Sequence, residues 1–227
     1  EIISGLGTTG QVVLNYDDHY FQRWQQLAGD RRVWSFSLAD PNASVSASQI
    51  ELSAKGSQFV LQVGGQTQRI QLHLLGQHNV ANALAAAAAA LALGLSIAQI
   101  ARGLGQVRPY HGRLMSHQLS HKRCVIDDTY NANLGSVKAA IDVLKGTENS
   151  WVVMGDMGEL GSDEIAAHTD VGTYAKTSGI EHFVATGPLS RNAATAFGES
   201  AHWFEDKPAL IRFLQQHTQK QDVLLIK

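Results

Sequence analysis

The chain has 227 residues, 44% of them hydrophobic and 17% charged, which suits one or two globular domains. A net charge of −2 carries no basic footprint for nucleic acid or an anionic membrane surface. A single cysteine, Cys124, excludes an intramolecular disulfide; it opens an apolar run, which suits a buried thiol in a cytoplasmic protein.

Gln11 to Asn15 reads as a short buried strand, and the helix after it, near Asp18 to Ala28, places Phe21, Trp24 and Leu27 on one face. Val33 to Phe36 is a second strand. Between Ala43 and Leu74 the apolar residues Val45, Ile50, Leu52, Phe59, Leu61, Val63, Ile70, Leu72 and Leu74 recur in short alternating runs. Breaks at Lys55-Gly56 and Gly64-Gly65 make this an antiparallel β section. Gly76-Gln77-His78-Asn79 then leads into an alanine-rich helix that ends at Gly94. The longest apolar-looking segment of the chain, Ala81 to Leu95, is too weakly hydrophobic for a membrane span. A short helix from Ser96 to Gly103 has Ser96 as its N-cap. Gly103 to Tyr110, with Gly105 and Pro109, is the linker candidate.

After the linker, strands and helices alternate. Strands are expected at Cys124–Asp127, Trp151–Met154, His182–Ala185, His202–Phe204 and Val223–Ile226. Helices are expected near Ser136–Leu144, Asp163–Thr177, Leu189–Phe197 and Pro208–His217. Repeating βα units of this length imply α/β architecture with a mostly parallel, doubly wound sheet.

Four constellations stand out. The apolar run from Cys124 stops at Asp127-Asp128 and is followed by Tyr130, Asn131 and Asn133. A carboxylate at the carboxyl end of a buried strand is suited to ribose hydroxyls, and an aromatic plane with amides suits a nucleotide; the alternative is a helix cap or a turn acid. Arg113, beside Gly112, offers a guanidinium for phosphate oxygens, although an isolated arginine is more often a surface residue. Asn79 and Asn82 lie three apart at the start of a helix, where their amides can read an adenine edge or simply cap the helix. The loop Gly155-Asp156-Met157-Gly158-Glu159-Leu160-Gly161 permits close backbone approach, and Asp156 and Glu159 suit a cation or an ammonium group; the alternative is a turn with exposed acids. No glycine-lysine-serine/threonine phosphate loop and no Cys/His metal cluster occurs in the chain.

These series, in register and in order, closely resemble the Mur ligases of peptidoglycan synthesis. The residues that carry the resemblance are Gly76 to Ala86, Gly112 to Met115, Ile126 to Asn133 and Val153 to Gly161. The last series is most like the branch that joins D-alanyl-D-alanine to UDP-N-acetylmuramoyl-tripeptide. The resemblance implies that residues 1–107 are the C-terminal part of a central α/β ATP-binding domain with its antiparallel β section. Residues 108–227 would be a Rossmann-like, mostly parallel ligase domain. The implied chemistry uses ATP and Mg2+ to activate a carboxylate as an acyl phosphate, which the incoming amine then attacks.

Under the resemblance, His78, Asn79 and Asn82 would lie by the adenine and Asp128 would hold the ribose. Arg113 would contact the phosphates, with Tyr130 and Asn131 near them; Arg113 and Asn131 would be the catalytic residues. Asn133 would lie near the amine substrate, and Asp156 and Glu159 would line the dipeptide side. The phosphate loop, the magnesium ligands and the family's carbamylated lysine would all precede Glu1. The chain, which opens without methionine, therefore reads as a piece of a longer monomeric enzyme and is expected to be inactive alone. It departs from the family pattern at Leu134-Gly135, where proline usually follows the last asparagine. Two alternatives stand beside this reading: a folylpolyglutamate synthase-like ligase, and a non-catalytic nucleotide- or peptide-binding module on the same kind of fold.

Overall fold

A computed structural model describes residues 2–227, the side chain of His121 excepted. The chain forms two compact units, one ending at Arg108 and the other beginning at Pro109.

The first unit is a five-stranded sheet in sequential order. Its strands are β1 (Gln11–Asn15), β2 (Arg32–Ser37), β3 (Val45–Ser53), β4 (Gly56–Val63) and β5 (Gln66–Leu72). β1, β2 and β3 run parallel, and β3, β4 and β5 form the expected antiparallel meander. Strand alternation splits the apolar residues between two faces. Val12, Leu14 and Val33 meet helix α1 (Phe21–Ala28), while Val13, Trp34 and Phe36 join the larger core under helix α2 (Gln77–Ala92). On α1 the inward residues are Phe21, Trp24 and Ala28; Leu27, expected on that face, is 55% exposed. The helical period carries Ala28, rather than Leu27, back under the stripe. Leu52 is likewise exposed, at the far end of a hairpin. A bulge between Ser48 and Glu51, with Gln49 at φ +51°, shifts the strand's parity so that Ala47 and Ile50 share one core.

The alanine run of α2 lets this helix lie close on the sheet. Its end is closed by a Schellman arrangement in which Leu95 donates to the Ala90 carbonyl and Gly94, at φ +84°, to that of Leu91. Helix α3 (Ile97–Gln106) begins with a capping box between Ser96 and Gln99 and continues past Gly103 to Gln106. Burial of Ile100 and Leu104 outweighs the glycines there, so the connection between the units is shorter than the sequence suggests.

In the second unit the strands are β6 (Met115–Gln118), β7 (Cys124–Asp127), β8 (Ser150–Met154), β9 (His182–Thr186), β10 (Ala201–Phe204) and β11 (Val223–Ile226). Their order is β10-β9-β8-β11-β7-β6. All pairs are parallel except β6, which lies antiparallel on β7. β6 has no counterpart in the sequence reading, because Met115-Ser116-His117-Gln118 is a mostly polar edge strand without an apolar run. The helices are α4 (Leu134–Leu144), α5 (Glu164–Thr177), α6 (Ser190–Phe197) and α7 (Lys207–His217). α7 brings Leu210, Phe213 and Leu214 to Trp151, Val153, Val184 and Leu224. Among the described residues, no helix is long and apolar enough to cross a membrane.

α5 and α6 pack so closely that a Cβ on Gly172 would stand 2.0 Å from the carbonyl oxygen of Ala193. Gly172→Ala is therefore expected to lower unfolding stability by at least about 2 kcal/mol, read from the urea midpoint.

At the amino-terminal edge of this sheet, His182 stacks on Trp151 at 4.0 Å and His202 tilts against Phe213 at 4.4 Å. Desolvation, then repulsion from His217 and His182, lowers the pKa of His202 below its ordinary 6.5. The unfolded chain then binds this proton more readily than the folded one. Stability is therefore present above pH 6.5 and is lost as pH falls through it. Urea midpoints between pH 8 and 5 should decline less steeply in His202→Gln than in the parent chain.

Candidate functional site

The predicted residues fall into three groups, each built by local chain geometry. In the first unit, Gly76 at φ +85° turns the chain into α2. Asn79 does not cap this helix. Its amide instead donates back to the Leu75 carbonyl at 2.8 Å and lies 3.2 Å from His78 Nε2, and its Oδ1 accepts from Asn82 at 3.3 Å. His78, Asn79 and Asn82 thus form one linked polar face on the first turns of α2.

The second group lies at the carboxyl edge of β7 and β11. Asp127 accepts the hydroxyl of Thr129 at 2.7 Å and its N–H at 3.2 Å; the hydroxyl bond is the main cause holding its carboxyl below the ordinary 3.8. Asp128 points the other way. Its Oδ1 accepts the Leu114 N–H at 3.1 Å, and its Oδ2 takes the ammonium of Lys227; the two side chains are 13% and 3% exposed. Buried ions of opposite sign require each other, because either alone would bear an uncompensated desolvation cost of several kcal/mol.

The same edge carries Arg113. Gly112 has φ +70°, and a Cβ there would meet the Tyr130 nitrogen at 3.0 Å, since that N–H donates to the Gly112 carbonyl. Leu114, at φ +49°, sits in a region that costs a leucine about 1–2 kcal/mol, and it is buried. Between them, the Arg113 guanidinium lies 4.1 Å from the centre of the Tyr130 ring, and Tyr110 meets that ring edge-on at 6.5 Å. Tyr130 is 61% exposed, so a charged planar group is stacked on an accessible aromatic face. Asn131 is exposed, with its Oδ1 on the Ala132 N–H. Asn133 is the N-cap of α4, exchanging hydrogen bonds with Ser136. Leu134 is consequently the first residue of that helix, a position where proline would fit without loss of a helical hydrogen bond.

The third group is the loop after β8. Asp156 Oδ1 accepts both the N–H and the hydroxyl of Ser190 at 2.7 Å, and so caps α6 from a distant part of the chain. Gly187, at φ +109°, admits that carboxylate, which a Cβ would meet at 2.5 Å. Glu159 is exposed at φ +59°. Met157 is buried, and its N–H donates to Nε2 of His168 at 2.9 Å. The His168 Nδ1 lies 2.6 Å from the Glu164 carbonyl, which can only accept, so Nδ1 carries the proton.

Two members of the site, Lys227 and His168, went unread in the sequence. Lys227 ends an apolar strand 99 positions from Asp128, and His168 is an interior helical histidine; neither carries a short-range signal for its partner. His168→Ala leaves a buried N–H without an acceptor. It is expected to raise amide exchange at Met157 at least about tenfold while leaving β7 amides unchanged.

The two units have counterparts among known proteins. The Mur ligase middle domain family model matches residues 1–90, and the Mur ligase, glutamate ligase domain matches residues 112–227. The UDP-N-acetylmuramoyl-tripeptide–D-alanyl-D-alanine ligase of Escherichia coli is 39% identical over 227 residues, all of this chain and 50% of the relative. The crystal structure I of MurF from Acinetobacter baumannii superposes with a TM-score of 0.90 at 32% identity, covering 100% of this chain and 50% of that one. MurF ligase from Thermotoga maritima in complex with ADP shares the fold, with a TM-score of 0.85 at 17% identity over 100% of this chain and 51% of that one. The chain spans about half the length of these relatives. With family matches across both units, and with the asparagine-rich and glycine-rich series standing together at one sheet edge of the second, the chain belongs to the Mur ligase family.

Proposed function

We propose that this chain serves an ATP-dependent peptide ligase that joins D-alanyl-D-alanine to UDP-N-acetylmuramoyl-tripeptide in cytoplasmic peptidoglycan synthesis. The observation that carries the reading is 39% identity, over all of this chain and 50% of the relative, to a ligase of that name. The disposition of Arg113, Asp128 and Tyr130 supports it. In this reaction the γ-phosphoryl group of ATP passes to the tripeptide carboxylate, giving an acyl phosphate and ADP. The dipeptide amine then forms the amide bond at the acyl carbon, losing a proton as phosphate leaves.

The chain's own residues bind and orient. His78, Asn79 and Asn82 take the adenine edge. Arg113 faces the phosphates, where a fixed guanidinium stabilises charge that grows on the transferring group. Its seat on Tyr130 restricts the side chain before nucleotide arrives. Asp128 takes the ribose through lone pairs left after Leu114 and Lys227, since each carboxylate oxygen accepts two hydrogen bonds. Asn131 stands beside the phosphates. Asn133 offers its amide N–H donors to the amine substrate side, its oxygen being committed to Ser136. Asp156 is bound to Ser190, so its contribution to dipeptide binding is to fix the loop, and Glu159 is the carboxylate presented to an ammonium group.

Among the described residues, no group of three or more His, Cys, Asp or Glu is arranged to hold a metal ion.

In the full-length native protein, Arg113→Ala is expected to lower kcat/KM for ATP about 10²–10³-fold, the usual loss when one charge-stabilising donor is removed. KM for D-alanyl-D-alanine should change little. Coupled ADP release measures both, and unaltered ATP kinetics would overturn the assignment.

A further inference from the structure

We propose that Lys227 is a positioning residue: through Asp128 it fixes Leu114, and with it the turn that presents Arg113. The inference rests on the reading of Arg113 as the phosphate contact. Lys227 is itself anchored, since its N–H donates to the Val153 carbonyl at 2.8 Å and its carbonyl accepts the Gly155 N–H at 3.0 Å. Its side chain is 3% exposed and its ammonium meets Asp128, whose other oxygen receives the Leu114 N–H. Leu114 holds φ +49°, a conformation leucine keeps only when surrounding bonds impose it. One residue earlier is Arg113, and one before that is Gly112, tied to the Tyr130 N–H at 3.0 Å. Position therefore passes from the end of β11 to the end of β7 and on to the arginine turn. A neutral, flexible side chain at 227 would leave Asp128, on the rim of the sheet, without the charge that holds its rotamer.

The test is amide hydrogen exchange on the 227-residue chain without nucleotide, followed by ATP kinetics in the full-length protein. Lys227→Met should raise exchange at Leu114 and Tyr130 about tenfold or more while Phe183 and Val184 in β9 keep their protection. Lys227→Arg, which retains the pair, should stay near the parent chain. If Lys227→Met does not fold, Lys227→Gln replaces it, with a smaller rise confined to the same two amides. In the full-length protein, KM for ATP should rise several-fold and KM for the dipeptide should not move. Unchanged exchange at Leu114, or an equal rise across the whole sheet, would overturn the positioning role. A local rise in exchange with unaltered ATP kinetics would support Lys227 as the anchor of the turn and would instead sink the reading of Arg113.

Discussion

The ion pair between Lys227 and Asp128 is the interaction on which the carboxyl edge of the second unit depends. A lysine ammonium and a carboxylate withdrawn from water are stable only together. Their pairing binds the ends of two strands nearly a hundred residues apart. Asp128 then accepts a backbone N–H that would otherwise lie buried without a partner, and a leucine in left-handed conformation is the result. The arginine that the leucine follows is carried to its place on the Tyr130 ring. Electrostatics, backbone geometry and aromatic stacking thus act in series at this edge.

The loop after β8 is organised on a different principle. There a buried imidazole accepts one main-chain N–H and donates to one main-chain carbonyl, joining loop to helix without net charge. Asp156 adds a second tie by capping α6. Both devices use side chains as substitutes for missing backbone partners, which is how an irregular loop can be held without strand or helix ladders. Gly158 and Glu159 follow directly on these two fixed points and face solvent.

Much of this was legible in the sequence, because the signals were local. Period-two alternation marked the meander, the Gly64-Gly65 pair its turn, Ser96 a helix start, and the apolar run into Asp127-Asp128 a strand. What escaped was decided by distance or by context. Leu27 was placed inward by spacing, but Ala28 met the sheet instead. Leu52 keeps the face of Ile50 past the bulge at Gln49, yet it lies at the end of the hairpin and stays exposed. β6 carries too few apolar residues to announce itself, and it exists because the edge of β7 offers it hydrogen bonds. Asp128 stands out by its place at a strand end, yet its partner, Lys227, is set by β11 lying beside β7, a pairing with no short-range signal.

That placement of β11 has a consequence for how the second unit comes into being. β7 and β8 follow each other in sequence, with α4 between them, but they do not pair; β11, which comes after both in the chain, lies between them and bonds to both. Until it arrives, the nascent sheet is two separate parts, each with an open edge of unpaired N–H and carbonyl groups. Closure requires contacts between distant parts of the chain, the kind that slow folding most. The same late strand delivers Lys227 to Asp128, so the arginine turn cannot be set before the sheet is whole. Correct assembly of the domain and readiness of its site are, in time, one event.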